Sequence, residues 1–120
     1  MLPRGFRLSK SQTIQMVLKK GRYKHVGSLF LAKWLPNTEN NHRITVIASS
    51  KISKKAVDRN RIRRVLTNNL PKDILQGRKN YDIVVVVKKG ILEELSQAHD
   101  ALVDILTNLS EYNKTNDKKN

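Results

Sequence analysis

The stretch YDIVVVV, residues 81–87, decides the fold, because it is rich in β-branched residues and almost continuously apolar. A strand with one face in water alternates apolar and polar residues, so this pattern predicts a β-strand that is covered on both faces. Apolar residues at three- and four-residue spacing follow it and predict an amphipathic helix over about 91–110. The apolar stripe of this helix consists of Leu92, Leu95, Ala98, Leu102, Ile105, Leu106 and Leu109.

Two helices and two strands are predicted ahead of this strand. A short apolar stripe predicts a helix over about 10–20, which Gly21 would end. Alternating residues predict strands over 29–35 and 43–49, the second antiparallel to the first. The second part of the stretch 52–70 has helical periodicity. Its apolar side consists of Ile62, Val65, Leu66 and Leu70, and that of the first helix consists of Ile14, Val17 and Leu18.

These elements follow one another in the order α-β-β(-β)-α-β-α. The order predicts an α+β fold, a single-domain sandwich of one central β-sheet with packed helices. We expect the domain to cover residues 1–112, since 120 residues are too few for two independent cores. Residues 113–120 are polar with nothing to bury, and we expect them to form a disordered tail.

The charge of the chain indicates a polyanionic partner. Lysine and arginine total 24 against 10 aspartate and glutamate, a formal charge of +14, and such an excess repels itself in the compact state. Cysteine is absent, which excludes disulfide scaffolds, zinc–cysteine modules and thiol nucleophiles. No apolar run approaches the roughly 18–20 residues that cross a bilayer, and the N-terminus lacks the apolar segment of a secretory signal. We therefore expect a cytoplasmic protein with no membrane partner.

The charge is also unevenly distributed along the chain. The first 38 residues contain eight bases and no acid, and the segment 51–64 contains seven bases and one acid. By contrast, the segment 91–112 contains five acids and neither lysine nor arginine. A polarised distribution of this kind favours docking over nonspecific adhesion.

The most informative stretch for function is SSKISKKAVDRNRIRRVL, residues 49–66. The planar guanidinium of arginine can hold a phosphate bidentately and stack on bases, and a helix gives several of them a fixed spacing. A solvated helix face is the alternative interpretation, but Asp58 is the single local counter-charge and the other side of the helix is apolar. The predicted RNA-binding residues are Lys51, Lys54, Lys55, Arg59, Asn60, Arg61, Arg63 and Arg64.

No pattern in the chain indicates a protein-based catalytic site. His25, His42 and His99 have no metal-ligand spacing, and structural roles are expected for them. A nucleophile elbow and a glycine-rich phosphate loop are both absent, and the acids cluster on the last helix. Asp82 could reach a cation or an arginine, or cap a turn. We therefore assign no catalytic residue and no metal ligand.

The motif A-V-x-R-N-R-x-[KR]-R, present here at 56–64, resembles the "RNR" signature of the bacterial ribonuclease P protein subunit. The surrounding features of that family occur here in the same order. They are a basic start with a short helix ending at Gly21, a serine-lysine stretch at 49–51, a [YF]-D-x-V-V strand at 81–85 and an amphipathic helix at 91–110. The resemblance extends over nearly the whole chain.

The resemblance implies a protein cofactor of an RNA enzyme, an endoribonuclease that removes the 5′ leader from precursor tRNA. The catalytic RNA would hold the magnesium ions, and the signature helix would face that RNA. The expected partners are the ribonuclease P RNA and precursor tRNA, with one protein monomer per RNA. The family also has a left-handed β-α-β crossover, an exception to the usual handedness.

The resemblance further implies a cleft, between a sheet face and the neighbouring helix, that holds the single-stranded leader. Ile14 and Leu18 occupy helix positions where phenylalanines are usual, so ring surface for base stacking is lost there. Phe30 and Trp34 share the parity of Ala32 and would compensate if that side of the strand lines the cleft. The predicted leader-binding residues are therefore Ile14, Leu18, Phe30 and Trp34, with a core position as the alternative for Trp34.

The alternative function is that of a structural RNA-binding protein of the ribosomal type, which would use the same basic helix. Both functions predict a steep salt dependence of binding, so composition does not separate them. The ordered set of motifs favours the ribonuclease P protein.

Overall fold

The computed structural model describes residues 2–110 with their side chains and the backbone of the last helix through Lys119. The predicted polar tail at 113–120 has its side chains outside the described residues, so its disorder stays a prediction. Short 3₁₀ turns occur at Arg4–Phe6, Lys72–Ile74 and Lys89–Glu93. The helices and strands are α1 (Ser11–Lys20), β1 (Arg22–Val26), β2 (Phe30–Pro36), β3 (Arg43–Ile47), α2 (Ala56–Thr67), β4 (Tyr81–Val87) and α3 (Leu95–Lys119).

The four strands form one mixed sheet in the order β1-β2-β4-β3. Strand β2 is antiparallel to both of its neighbours, β1 and β4, whereas β3 runs parallel to β4. The predicted α+β domain with one central sheet and packed helices is therefore confirmed. No helix in the described part of the chain combines the length and the apolar character needed to cross a membrane.

Strand β4 is buried on both faces, as its apolar run predicts. Ile83, Val85 and Val87 point into the main core with α2 and α3, and we call this side the α2–α3 face. Val84 and Val86 point to the other side, where Leu8 and α1 cover them, and we call it the α1 face. Ile83, Val84 and Val85 are each 0% exposed, so the core lies above and below this one strand.

The pairing of the first two predicted strands differs from a simple hairpin. Strands β2 and β3 run in opposite directions, as predicted, but β4 lies between them and pairs with both. The reason is the β3-α2-β4 crossover, which returns the chain to the sheet in the slot between β2 and β3 and gives the most apolar strand two neighbours. The left hand of this crossover stays a prediction.

Strand β1 has only a weak sequence signal, because four of its five residues are exposed. It pairs with β2 through a tight connection in which Gly27 has a φ of +48°, a conformation that favours glycine. Gly21, between α1 and β1, is needed for a different reason. A Cβ there would lie 2.5 Å from the Val17 carbonyl oxygen and 3.0 Å from that of Trp34. The absence of a side chain thus lets the end of α1 lie against β2.

Candidate nucleic-acid interface

Helix α2 presents its two sides to different surroundings. Ile62 and Leu66 are 0% exposed and pack into the main core. The opposite side carries residues four positions apart, which share one face of a helix. The exposed residues of this outer face are Val57, Asn60, Arg61 and Arg64.

Local hydrogen bonds hold the start of α2 and one of its arginines. The Ser53 hydroxyl donates to the Asp58 carboxylate at 2.8 Å, and the Arg59 guanidinium donates to the Ser53 carbonyl oxygen at 2.8 Å. Asp58 is thereby engaged with a hydroxyl rather than with an arginine. Arg59 is half-buried and oriented by the backbone, so its charge has a defined position beside the outer face.

Arg63 is held at the side of α2 that faces the sheet. Its guanidinium donates to the Asn60 side-chain oxygen at 3.1 Å and to the Ala48 carbonyl oxygen at 3.3 Å, just beyond the end of β3. Arg61 and Arg64 are exposed and make no such contact. Two ion pairs join residues within 2–110, Arg43 with Asp82 and His99 with Asp100, and neither involves α2. Asp58 is the one carboxylate on α2, and no ion pair with a carboxylate of the described chain neutralises the arginines of the helix.

A groove of about 520 Å³ runs between α2, the edge of β3 and the N-terminal segment. The N-terminal segment lies at this edge because the Leu8 backbone N–H donates to the Ile44 carbonyl oxygen at 3.0 Å. Cationic and polar side chains line the groove together with apolar residues of β3 and the N-terminal segment, and the cationic and polar groups suit phosphate oxygens and sugar hydroxyls. Six of these cationic and polar residues are Arg7, Ser9, Asn60, Arg63, Arg64 and Thr67.

Three of these six residues were predicted from the sequence, and the other three were not. Asn60, Arg63 and Arg64 were predicted to bind RNA, whereas Arg7, Ser9 and Thr67 were not. Arg7 and Ser9 belong to the acid-free start of the chain, which is the signal that could have indicated them. Their proximity to α2 depends on the bridge between Arg7 and Ile44, a long-range contact that no local pattern reveals.

The three predicted lysines lie in the loop that leads into α2. Lys51, Lys54 and Lys55 are all exposed, and Lys55 directly precedes the first helical residue. The loop is ordered by hydrogen bonds from the Lys51 N–H to the Ser49 hydroxyl at 3.3 Å and from the Lys55 N–H to the Ser53 hydroxyl at 3.2 Å. The structure thus brings these lysines to the N-terminal end of the basic helix.

The four residues predicted to line one leader-binding cleft lie on opposite faces of the sheet, so that grouping is wrong. Ile14 and Leu18 of α1 pack against Val84 on the α1 face. Phe30 and Trp34 pair with Val87 and Ile83, whose side chains point to the α2–α3 face. Phe30, Ala32 and Trp34 do share one side of β2, as predicted. Helix α1 covers the opposite side, to which the alternate residues of the strand point.

Phe30 and Trp34 also differ from each other. Phe30 is 0% exposed in the main core and has no surface to offer a base. Trp34 is half-buried, packs partly against the same core, and lines a separate groove with cationic residues of α1 and β1. Trp34 thus combines a partial core position with a place in the lining of this groove.

The surroundings of Asp82 and His42 indicate structural roles for both residues. The Arg43 guanidinium donates to both carboxylate oxygens of Asp82 at 2.8 Å. This hydrogen bonding is the main reason why the pKa of Arg43 is raised. The Asn37 amide donates to the same carboxylate at 2.9 Å. His42 is buried, and no three His, Asp or Glu side chains within residues 2–110 come together as a metal site.

Comparison with known proteins identifies the family. The family model described as Ribonuclease P matches residues 2–110. The ribonuclease P protein component of Synechococcus elongatus is 34% identical over 112 residues, covering 88% of this chain and 91% of the relative. That of Idiomarina loihiensis is 35% identical over 108 residues, covering 88% of this chain and 82% of the relative.

Solved structures agree in fold. The RNase P protein of Staphylococcus aureus has a TM-score of 0.68 at 26% identity, covering 84% of this chain and 92% of that one. The RNase P protein from Thermotoga maritima has a TM-score of 0.65 at 23% identity, covering 84% and 94%, and supports the fold alone. With a family match over nearly the whole described chain, the protein belongs to the ribonuclease P protein component family.

Proposed function

We propose that this chain is the protein subunit of a ribonuclease P, and that it binds the catalytic RNA through α2 and the lysine loop before it. The observation that carries the proposal is the outer face of α2. Arg61 and Arg64 are exposed there without a carboxylate partner in the described chain, on a helix whose other side is locked into the core. Such a rigid basic face suits the phosphates of a folded RNA.

In this proposal the endonucleolytic chemistry belongs to the RNA. The donor set of the protein fits a catalytic magnesium ion poorly, because no group of three His, Asp or Glu side chains forms among residues 2–110. Mg²⁺ prefers several oxygen ligands and retains waters. We therefore assign the magnesium ions mainly to the RNA. From the family resemblance we further propose that the protein is a cytoplasmic monomer, one per RNA, that binds and positions.

The single-stranded 5′ leader of precursor tRNA is proposed to lie on the α1 face. Ile14 and Leu18 are half-buried there, and the adjacent edge of the sheet supplies an aromatic ring. Tyr23 of β1 pairs with Lys33, is 65% exposed, and shares this face. Because bases stack on exposed rings, Tyr23 supports the leader site in the role first given to Phe30 and Trp34.

Reconstitution with a bacterial ribonuclease P RNA at low magnesium tests the proposal. We expect the chain to increase leader cleavage, and Arg61→Ala or Arg64→Ala to weaken assembly and lower the salt slope of binding by about one each. Lys72→Ala is the matched control, since Lys72 is an exposed cation outside α2. Binding without any gain in cleavage would favour the structural RNA-binding alternative, and equal losses from all three variants would contradict a role for α2.

A further inference from the structure

We propose that a second single-stranded RNA segment binds on the α2–α3 face, in a groove at the β1 edge of the sheet. This Trp34 groove has a volume of about 680 Å³, within the roughly 300–1,000 Å³ of pockets that hold drug-sized ligands. It therefore has room for a nucleobase with its sugar and phosphate. The residues that define it are Lys20, Arg22, Lys24, Trp34, Tyr81 and Ile105.

The charge of the groove selects a polyanion. Lys20 ends α1, and Arg22 and Lys24 follow on β1, so three cations lie along one rim. Their side chains are exposed and make no hydrogen bond or ion pair with another described residue. Among the described residues that line the groove there is no acid, although α3 carries acids elsewhere. The phosphates of an RNA strand in the groove would thus contact cations that have no counter-charge among the described residues.

The indole of Trp34 favours single-stranded RNA over a duplex. Trp34 lies directly opposite Arg22 in the β1–β2 register, and its indole is half-buried, with its inner part against the core. Trp34 also lines the groove, where its indole offers a ring on which an unpaired base can stack, and Arg22 lines the same groove from the neighbouring strand. Bases within a duplex are already stacked and do not present their faces to such a ring.

The groove is separate from both surfaces of the proposed function. Helix α2 lies beside β3, which is at the opposite edge of the sheet from β1. The proposed leader site is on the α1 face, whereas Trp34 points to the α2–α3 face. One RNA strand in the Trp34 groove and another on α2 can therefore be bound at the same time.

Trp34 is the single tryptophan of the 120 residues, so its fluorescence reports directly on the groove. We expect a single-stranded oligouridylate of about ten nucleotides, added to the full chain, to quench it. The variant R22Q/K24Q should weaken this quenching titration and lower its salt slope by about 1.4, since each phosphate contact to a single strand contributes about 0.7. The control K72Q/K89Q removes two exposed cations elsewhere and should leave the titration unchanged.

Two further measurements separate the groove from the other surfaces. Arg61→Gln should leave Trp34 quenching intact while it weakens assembly with the catalytic RNA. Trp34→Leu, which keeps an apolar side chain against the core, should weaken binding of a labelled oligouridylate about fivefold or more.

Three results would overturn the proposal. In the first, labelled oligouridylate binds while Trp34 fluorescence stays constant. In the second, R22Q/K24Q and K72Q/K89Q weaken the titration equally. In the third, a duplex of the same length quenches Trp34 as strongly as the single strand does.

Discussion

His42 should make the stability of this protein depend on pH in the mildly acidic range. Its ring is 0% exposed and lies in a chain of hydrogen bonds. The Tyr81 backbone N–H donates to Nδ1 at 3.0 Å, so Nδ1 must be an acceptor and Nε2 carries the proton. Nε2 then donates to the Ser110 hydroxyl at 3.1 Å, which donates to the Ile74 carbonyl oxygen at 3.1 Å.

Protonation of this ring is unfavourable in the folded state. A second proton on Nδ1 would oppose the Tyr81 N–H and place a charge where water is excluded. Burial lowers the pKa of His42 from 6.5 to about 4. Between these values the unfolded chain binds more protons than the folded one, so stability decreases as the pH falls from 6.5 towards 4. The linkage between proton binding and folding lowers the free energy of unfolding by about 2 kcal/mol between pH 7 and pH 5. The loss reaches about 3 kcal/mol once the pH lies below both pKa values.

Urea denaturation at pH 7 and pH 5 measures this loss. The wild type should lose about 2 kcal/mol more than His42→Gln does over the same interval, because the variant has no imidazole to protonate. His25→Gln, which changes an exposed histidine, should retain the full pH dependence. The NMR titration of the His42 ring gives a second measurement if the variant does not fold. A ring that titrates near 6.5, or equal pH dependence in wild type and His42→Gln, would refute the reasoning.

Two other substitutions test what positions the proposed sites. Gly21→Ala should destabilise the protein by about 1–3 kcal/mol in urea denaturation, because the added Cβ meets the backbone of Val17 and Trp34, which cannot move aside locally. Unchanged stability would mean that α1 can shift away from β2. Asp82→Ala should lower the free energy of unfolding by about 2–3 kcal/mol. Breaking a fully buried ion pair costs about 3–5 kcal/mol, and the loss is smaller here because the Arg43 side chain is 27% exposed. The double variant with Arg43→Ala should recover part of this loss, and strictly additive effects of the two single variants would show that the pair is not coupled.

Most of the secondary structure and the basic helix were predictable because their signals are local. The apolar residues Ile62 and Leu66 recur at helical spacing, so the core side of α2 is decided by its own sequence. The exposure of Arg61 and Arg64 on the opposite side then follows from the geometry of the helix. The continuous apolar run of β4 likewise required cover on both faces, and the structure supplies it.

Local sequence patterns could not predict which of the proposed leader-binding residues lie on the same face of the sheet. Parity placed Phe30 and Trp34 on the same side of β2, but it does not say which side α1 covers. That choice is made where Gly21 lets the end of α1 lie against β2, and where the Lys33 ammonium donates to the Leu18 carbonyl oxygen. The same limitation hid the contribution of Arg7 to the α2 groove, because 37 positions separate it from its bridge partner Ile44.

The sequence by itself determined most of the element types, the buried character of β4 and the rigid basic helix, because each depends on periodicity and charge within a short segment. The tertiary structure alone decided that β4 lies between β2 and β3, that Ile14 and Trp34 occupy opposite faces of the sheet, and that cations of α1 and β1 line the same groove as Trp34. These features depend on which distant segments exclude water together, and cooperative packing of the whole chain sets that choice.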